Sequence, residues 1–332
     1  MVNLTLLAVA VSFFTTLIVM PFWIHKAKKI GLVWDDMNKK SKKQAAGSGG
    51  LIVVMGFMLG VLTYVAIQTF IIRGGNHYVE VFTLTTSILL LAGIGIIDDL
   101  LGWQHGGLKK KVRITLVLFA AIPLMVINAG SSQVNFPFSI ELGILYPLIF
   151  IPLGIVGATT TFNFLAGYNG LEAGQGILLL SALAFIAFIT DSVWLAIIAA
   201  CMVAALFAFL IFNKYPAKIF PGDVLTYSVG GLIAIMAILG NFEMFAVFIF
   251  VPYILETGLK LRGKLNKQSF GEPQEDGSIK NLYDKHYGLE HIAITLIEKM
   301  KKSKKAYEWE VVLAIHLFQV VIIFLGFLIF IF

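Results

Sequence analysis

Long apolar runs separated by polar connections make up most of the chain. A helix needs roughly 20 apolar residues to cross about 30 Å of hydrocarbon, and runs of this length cross as helices. The pattern therefore predicts an all-α, polytopic membrane protein of about ten transmembrane helices, forming a single domain over residues 1–332. The predicted spans cover residues 3–24, 47–72, 81–101, 114–129, 143–162, 173–190, 192–212, 224–240, 242–259 and 311–331.

Three details qualify this pattern. The fourth run is short and contains Pro123, and only residues 190–192 separate the sixth run from the seventh, so the count is open by one. The first run has no basic segment before it and is followed at once by Lys26, so we expect a retained helix and not a cleaved signal peptide.

The basic residues alternate with the predicted spans. Of the 25 Lys and Arg residues, 24 lie in odd-numbered connections, at residues 26–43, 109–113, 214–218 and 260–305, and only Arg73 lies in an even one. Cytoplasmic loops of membrane proteins are rich in Lys and Arg. The sequence therefore predicts a multi-pass protein of the cell membrane with both termini outside and the odd connections in the cytosol.

Composition supports the same class of protein. Hydrophobic residues make up 58% of the chain and charged residues 13%, with a mean hydropathy of +0.89, whereas soluble domains are about 25% charged. The net charge of +6 belongs to one membrane face, so we expect contact with anionic membrane lipids and no nucleic-acid partner. Cys201 is the one cysteine, which excludes an intrachain disulfide. Glycines near span ends, including Gly93 and Gly95, are expected to let helices pack closely.

Two adjacent carboxylates are the most unusual feature of this pattern. Asp98 and Asp99 end a run, residues 81–97, that contains no other charge. Acids at the edge of hydrocarbon are costly and usually serve an ion, a proton or a substrate. They are expected at the cytosolic rim.

Further polar residues lie in the other odd connections. The fifth connection reads TFNFLAGYNGLEAGQG, the seventh ends in PGDV, and the ninth contains YDKHYGLEH. The candidate residues of these segments are Asn163, Asn169, Glu172, Asp223, His286 and His291. Taken singly, each could be a solvated charge, a cap or turn residue, or an ordinary histidine; their occurrence on one face favours a site.

Carboxylates and amides on separate helix ends suit a hard cation. Mg²⁺ prefers oxygen ligands and shares itself with substrate phosphates, with Mn²⁺ as an alternative. Zinc sites use Cys or His, and the histidines here have no HExxH-type frame. Lysines beside the acids would balance an anion such as a diphosphate.

The motifs together resemble a known family. GIGIIDDLLG, NFLAGYNGLEAGQG and YPAKIFPGDVLTYSVGG, in this order, are similar to the polyprenyl-phosphate N-acetylhexosamine-1-phosphate transferases. NGLEAGQ resembles the archaeal and eukaryotic dolichyl-phosphate branch. The resemblance implies transfer of a sugar 1-phosphate, with N-acetylglucosamine the leading sugar, from a UDP-sugar to a polyprenyl or dolichyl phosphate at the cytosolic face. It implies Mg²⁺ as cofactor and UMP as a product, and it leaves open whether the protein forms a homodimer.

The same resemblance implies roles for the acids and amides. Asp223 would bind magnesium with Asn163, Asp98 would orient or deprotonate the lipid phosphate, and Asp99 would support the metal site. Asn169 matches the position that reads uracil. Glu172, in the same motif, is expected to help bind the substrate.

Cationic groups complete the implied site. Lys111 is the favoured match to the family's phosphate-binding lysine, with Lys109 and Arg113 as alternatives. His291 and His286 would belong to a loop that closes over the sugar and diphosphate. The chain departs from its relatives where KKQAAGSGG, residues 42–50, lacks a Pro and a Glu, and where the ninth connection lacks a histidine-rich cluster.

The ninth connection, at about 260–310, contains one more predicted element. Residues 289–305 place Ile292, Leu296 and Met300 at helical spacing before a basic end, which predicts an amphipathic helix at the membrane interface or a simple linker helix. The competing function is a secondary transporter, which would place its acids near mid-bilayer in repeated halves.

Overall fold

The computed structural model describes residues 2–41, 43–74, 76–135 and 139–331, and Lys42 of the first basic connection lies outside them. Twelve α-helices and three small hairpins are present in these residues. The helices are α1 (Val2–Lys29), α2 (Gly50–Ala66), α3 (Tyr78–His105), α4 (Lys110–Val126), α5 (Ile151–Phe162), α6 (Leu171–Ile189), α7 (Val193–Asn213), α8 (Gly222–Gly240), α9 (Glu243–Ile249), α10 (Val251–Arg262), α11 (Leu289–Met300) and α12 (Glu308–Phe330).

Short π-helical segments extend two of these helices. Ile67–Ile72 continues α2, and Tyr146–Phe150 precedes α5. The antiparallel hairpins pair β1 (Val33–Asp35) with β2 (Gln44–Ala46), β3 (Gln133–Asn135) with β4 (Ser139–Glu141), and β5 (Glu272–Pro273) with β6 (Ile279–Lys280). The all-α, multi-pass architecture predicted from the sequence is confirmed.

The predicted count of ten spans is too high by length and hydropathy. In the part of the chain that is described, seven helices are long and apolar enough to cross a membrane, or eight if the bent pair α9 and α10 is one span. The fourth and fifth predicted spans form helical segments of only 17 residues, Lys110–Val126 and Tyr146–Phe162. The segment Tyr146–Phe162 nevertheless packs along α8: Asn163 at its end contacts Asp223, Ala158 lies against Gly230, and Tyr146 contacts Glu243 just beyond α8. Helix α4 packs mainly on α3 and α5, and Arg113 in its first turn lies near Asp223.

Helix α8 is the centre of the bundle. In the apolar 18-residue stretch of α8, 83% of the residues are buried, against 22% in the corresponding stretches of α1 and α12. Helix α8 packs on α2, α3, α5, α6 and α9. Glycines permit this packing: a Cβ on Gly230 would lie 2.8 Å from the carbonyl oxygen of Ala158 in α5, and one on Gly231 would lie 2.1 Å from Leu91 in α3. The start of α8 is thereby fixed against the ends of α3 and α5.

The ninth predicted span is broken. Helices α9 and α10 meet at an angle of 57°. At the break, the backbone N–H of Tyr253 donates to Phe250, which leaves the carbonyl of Ile249 without a helical partner. The buried side chain of Gln319 in α12 donates to that carbonyl at 2.9 Å. A buried carbonyl needs such a partner, so Gln319 stabilises the bend.

The predicted amphipathic helix is present as α11 and ends at Met300, before the basic residues that follow it. It buries Glu290, His291 and Ile294 against the protein. Leu296 and Met300 are exposed, at 53% and 84%. This exposed apolar side fits the predicted position at the membrane interface, which stays a prediction.

Two glycines of α3 provide a test of the packing. A Cβ on Gly95 would lie 2.6 Å from the backbone of Val224 in α8, whereas one on Gly93 would meet nothing within 4 Å. We expect Gly95→Ala to destabilise the protein by about 1–3 kcal/mol through overpacking. Gly93→Ala should be neutral or stabilising by about 0.5–1 kcal/mol, because alanine favours the helix. Thermal unfolding in detergent measures both, and equal shifts would contradict this packing.

Candidate active site

A cavity of about 1060 Å³ opens at the end of the bundle where α3 and α5 end and where α4, α6 and α8 begin. Six of the predicted site residues line it, and they come from five different helices or helix ends. They are Asp98, Asp99, Arg113, Asn163, Glu172 and Asp223. The structure thus brings together residues that lie up to 125 positions apart in the sequence.

Asp98 is buried and fully engaged. Its Oδ1 accepts a hydrogen bond from the backbone N–H of Leu108 at 2.8 Å, and its Oδ2 accepts one from the Tyr227 hydroxyl at 3.0 Å. The same Oδ2 lies 2.7 Å from Nε of Arg113. A carboxylate held by three groups is suited to orienting them and is poorly placed to take up a proton.

Asp99 joins α3 to the start of α8. Its Oδ1 accepts a hydrogen bond from the backbone N–H of Asp223 at 2.7 Å. Gly222 makes this contact possible, since its φ is +71° and a Cβ there would lie 2.2 Å from Oδ2 of Asp99. That Oδ2 atom is buried and forms no hydrogen bond of ordinary geometry with the described residues, although Ser48 and the backbone of Val224 lie near this carboxyl group. An unsatisfied buried oxygen of this kind is a candidate ligand atom.

Asp223 and Asn163 form the opposite wall. The amide nitrogen of Asn163 donates to Oδ1 of Asp223 at 3.0 Å, and Oδ2 of Asp223 lies 3.7 Å from a terminal nitrogen of Arg113. Asp223 occupies the first turn of α8, where the helix dipole favours a negative charge. In the described residues, no group of three or more His, Cys, Asp or Glu could hold a metal ion alone.

The basic residues divide by helical face. Arg113 and Lys110, one turn apart on α4, line the cavity, and Lys110 donates to the carbonyl of Leu265. Lys109 and the favoured Lys111 are exposed and do not line it. The register of α4 turns positions 110 and 113 inward together, because residues three apart share a helix face. The structure therefore places the alternative Arg113, and not Lys111, beside the acids.

Two residues of the NGLE motif are buried beside the cavity. Glu172, at the start of α6, accepts a hydrogen bond from the backbone N–H of Gly167 at 2.8 Å. Asn169 is only 4% exposed and does not line the cavity. Its neighbours Gly167 and Tyr168 do. The motif therefore borders the cavity through Glu172, and the two residues before Asn169 continue the same wall.

The two histidines lie apart from the acids. Nε2 of His286 is 2.8 Å from the hydroxyl of Thr295, and Nδ1 of His291 accepts from the backbone N–H of Tyr287. Neither lines the cavity. Burial, together with nearby Lys260, lowers the pKa of His291 to about 4. This imidazole is neutral at pH 7 and serves as a packed hydrogen-bond acceptor.

Other residues of the ninth connection line the cavity instead. They are Lys260, Leu265, Lys267, Gln268, Ser269 and Phe270. Lys260 reaches Glu256 and the hydroxyl of Ser269. Sequence reasoning missed this segment because it has no motif. Its position follows from the bend between α9 and α10 and from the packing of Phe270 against Gly167.

Comparison with known proteins places this site in a family. The sequence profile described as Glycosyl transferase family 4 matches residues 81–241, from α3 to just beyond α8. A protein of Saccharolobus solfataricus, provisionally named a UDP-N-acetylglucosamine–dolichyl-phosphate N-acetylglucosaminephosphotransferase, is 37% identical over 88% of this chain and 88% of the relative.

Two further relatives extend the comparison. A Sulfolobus acidocaldarius protein of the same provisional name is 33% identical over 88% of both chains. The phospho-N-acetylmuramoyl-pentapeptide-transferase of Halalkalibacterium halodurans is 31% identical over 78% of this chain and 84% of the relative. These matches confirm the resemblance inferred from the motifs. Because a relative 37% identical covers 88% of the chain, and the matched profile contains Asp98, Asp99 and Asp223 of the cavity, the chain belongs to glycosyl transferase family 4.

Proposed function

We propose that the protein transfers N-acetylglucosamine 1-phosphate, or a related N-acetylhexosamine 1-phosphate, from a UDP-sugar to a polyprenyl or dolichyl phosphate. The products are a lipid-linked diphosphate sugar and UMP. The observation that carries the proposal is the cluster of Asp98, Asp99, Asp223 and Arg113 in one cavity, in a chain whose relatives are named for such transfers.

The position of the cavity suits this pair of substrates. Asp98 and Asp99 lie about two turns before the end of α3, and Asp223 lies in the first turn of α8. A lipid phosphate lies at the membrane surface and a nucleotide sugar arrives from water, so their reaction needs a site at the end of the bundle. A transporter would place its acids near mid-bilayer, and these helix-end positions argue against that alternative.

We infer that this end faces the cytosol and that both termini lie outside. The basic residues support this orientation. The orientation is the same whether the two shorter helices, α4 and α5, both cross the membrane or both do not, because in either case the basic connections stay on one side. The basic residues that line the cavity, Lys110, Arg113, Lys260 and Lys267, belong to connections on that side.

In the proposed reaction, an oxygen of the lipid phosphate bonds to the sugar-bearing phosphorus of the donor. The bond from that phosphorus to the bridging oxygen breaks, and UMP leaves with the electron pair. A phosphate is mostly dianionic at pH 7, since its second pKa is about 6. No general base is therefore required, and Asp98 instead holds Arg113, whose guanidinium is placed to stabilise charge on the phosphoryl groups.

We further propose Mg²⁺ as the cofactor. Asp223 and the unpartnered oxygen of Asp99 would hold it with Asn163 beside them, an all-oxygen set of the kind Mg²⁺ prefers. One or two carboxylates are enough, because Mg²⁺ completes its shell with water and substrate phosphates. When bound, the ion would neutralise charge on the diphosphate. Mn²⁺ has the same ligand preference.

The function is tested with purified protein, Mg²⁺, polyprenyl phosphate and a panel of UDP-sugars, following UMP release. We expect UMP and a lipid-linked diphosphate sugar with UDP-N-acetylglucosamine as the preferred donor. Folded protein that gives no product with any donor would overturn the proposal.

The metal assignment is tested by Asp223→Asn, which keeps the shape of the side chain and removes its charge. We expect kcat to fall about 100-fold or more, the usual scale for losing one group that stabilises charge in the transition state. Asp191→Asn is the matched control, since Asp191 is exposed at the opposite end of the bundle between α6 and α7. Unchanged turnover and metal dependence in Asp223→Asn would refute the assignment.

A second pair of variants decides which cation faces the phosphates. We expect Arg113→Gln to lower kcat about 100-fold, because Arg113 contacts Asp98 and lies near Asp223. Lys111→Gln should retain activity within about threefold, because its side chain is outside the cavity. Initial rates of UMP release measure both. A large loss in Lys111→Gln alone would show that the register suggested by the resemblance is correct.

A further inference from the structure

The loop that enters the NGLE motif is held from several sides by residues distant in sequence. The carbonyl of Gly167 accepts a hydrogen bond from the side chain of Asn38 at 3.1 Å. The backbone N–H of Asn169 donates to Glu308 at 2.8 Å, and the side-chain nitrogen of Asn169 donates to Asp36 at 3.0 Å. Asp36 and Asn38 follow β1, and Glu308 begins α12. Parts of the chain 133 and 139 residues away therefore fix one loop.

A single cation joins these anchors. The ammonium group of Lys39 pairs with Glu308 and lies 3.4 Å from Asp36. Its side chain is 15% exposed, and those of Asp36 and Glu308 are 10% and 2% exposed. Buried carboxylates need a compensating charge, and removing one partner of such a pair leaves the other charge unpaired. Lys39 is thus the counter-ion of both acids that hold Asn169.

The contacts also orient the amide of Asn169. A carboxylate only accepts hydrogen bonds, so the amide nitrogen must face Asp36. The amide oxygen is then the side-chain atom that is left to accept a hydrogen bond. Flipping the amide would bring two acceptors together.

The loop is also part of the cavity. Gly167 and Tyr168, the two residues before Asn169, line it, as do Asp36 and Met37 beside Asn38. A shift of the anchors would therefore move the cavity wall. Misplacement of a group by about 1 Å can cost an enzyme about 100-fold in rate.

We propose that Lys39 is a positioning residue for the nucleotide of the donor: through Asp36 and Glu308 it holds the 167–169 loop in the position that binds the nucleoside diphosphate. This inference rests on the proposed function for the identity of the donor. Lys39 contacts the acids and not the substrate, so its removal should weaken donor binding more than it slows the chemical step.

The test compares Lys39→Met with Lys40→Met. Lys40 is the adjacent lysine, but its side chain is 57% exposed and pairs with Glu275, which is 89% exposed, so its loss should change little. For Lys39→Met we expect the KM for the UDP-sugar to rise about 10-fold or more, with kcat and the KM for the lipid phosphate within about threefold of wild type. Lys39→Arg, which keeps the charge, should recover most of the donor affinity.

An unchanged donor KM in Lys39→Met, or a fall in kcat without a change in KM, would overturn the inference. If Lys39→Met does not fold, the double variant Lys39→Gln with Glu308→Gln gives the same comparison, because it leaves no unpaired Glu308 carboxylate. Calorimetric titration with UDP separates the two proposals. Wild-type protein that releases no UMP overturns the proposed function, whereas equal UDP affinity in wild type and Lys39→Met, or no UDP binding to either, overturns the role of Lys39.

Discussion

The site depends on holding three carboxylates at the edge of an apolar bundle. Asp98, Asp99 and Asp223 would repel one another there, and one guanidinium, that of Arg113, lies among them. Backbone N–H groups provide the rest of the stabilisation, from Leu108 for Asp98 and from Asp223 for Asp99. The cluster has an excess of carboxyl groups over guanidinium groups, and one carboxyl oxygen, Oδ2 of Asp99, has no hydrogen-bond partner among the described residues. Such an excess favours the binding of a cation. Cation binding would explain why the bundle keeps acids at a position where their burial costs free energy.

Close contact between α3 and α8 makes that arrangement possible. Gly95 brings the backbone of α3 against Val224, and the left-handed Gly222 lets Asp99 reach the first turn of α8. A side chain at either position would separate the helices and open the hydrogen bond between Asp99 and the backbone of Asp223. The glycines of the bundle therefore determine both its packing and the geometry of its acidic groups. Gly93, two residues from Gly95, has no such contact.

The sequence predicted the helices and the main acidic residues because both leave local signals. Apolar runs mark the spans, and the acids that follow the apolar run at 81–97 lie in the last part of α3, which continues to His105. Two kinds of feature could not be predicted. The choice between Lys111 and Arg113 depends on where α4 begins, and a one-residue difference turns another side chain inward. The segment at 265–270 lines the cavity because α10 bends away from α9. At that bend the carbonyl of Ile249 loses its helical hydrogen bond and accepts one from the side chain of Gln319, 70 residues away. No local pattern encodes that contact.

The distribution of the contacts along the chain separates two tasks. Residues 81–241, which match the family profile, contain Asp98, Asp99, Arg113, Asn163 and Asp223. The anchors of the 167–169 loop, Asp36, Asn38, Lys39 and Glu308, all lie outside that range. The matched region thus holds the charged groups that would act on phosphate, while segments before and after it hold the loop beside them. Because Lys39 and Glu308 lie 269 residues apart, the loop is fixed only when β1 and α12 are both docked on the bundle. Donor binding would then require both β1 and α12 to be docked on the bundle, whereas the acidic cluster could form without that docking.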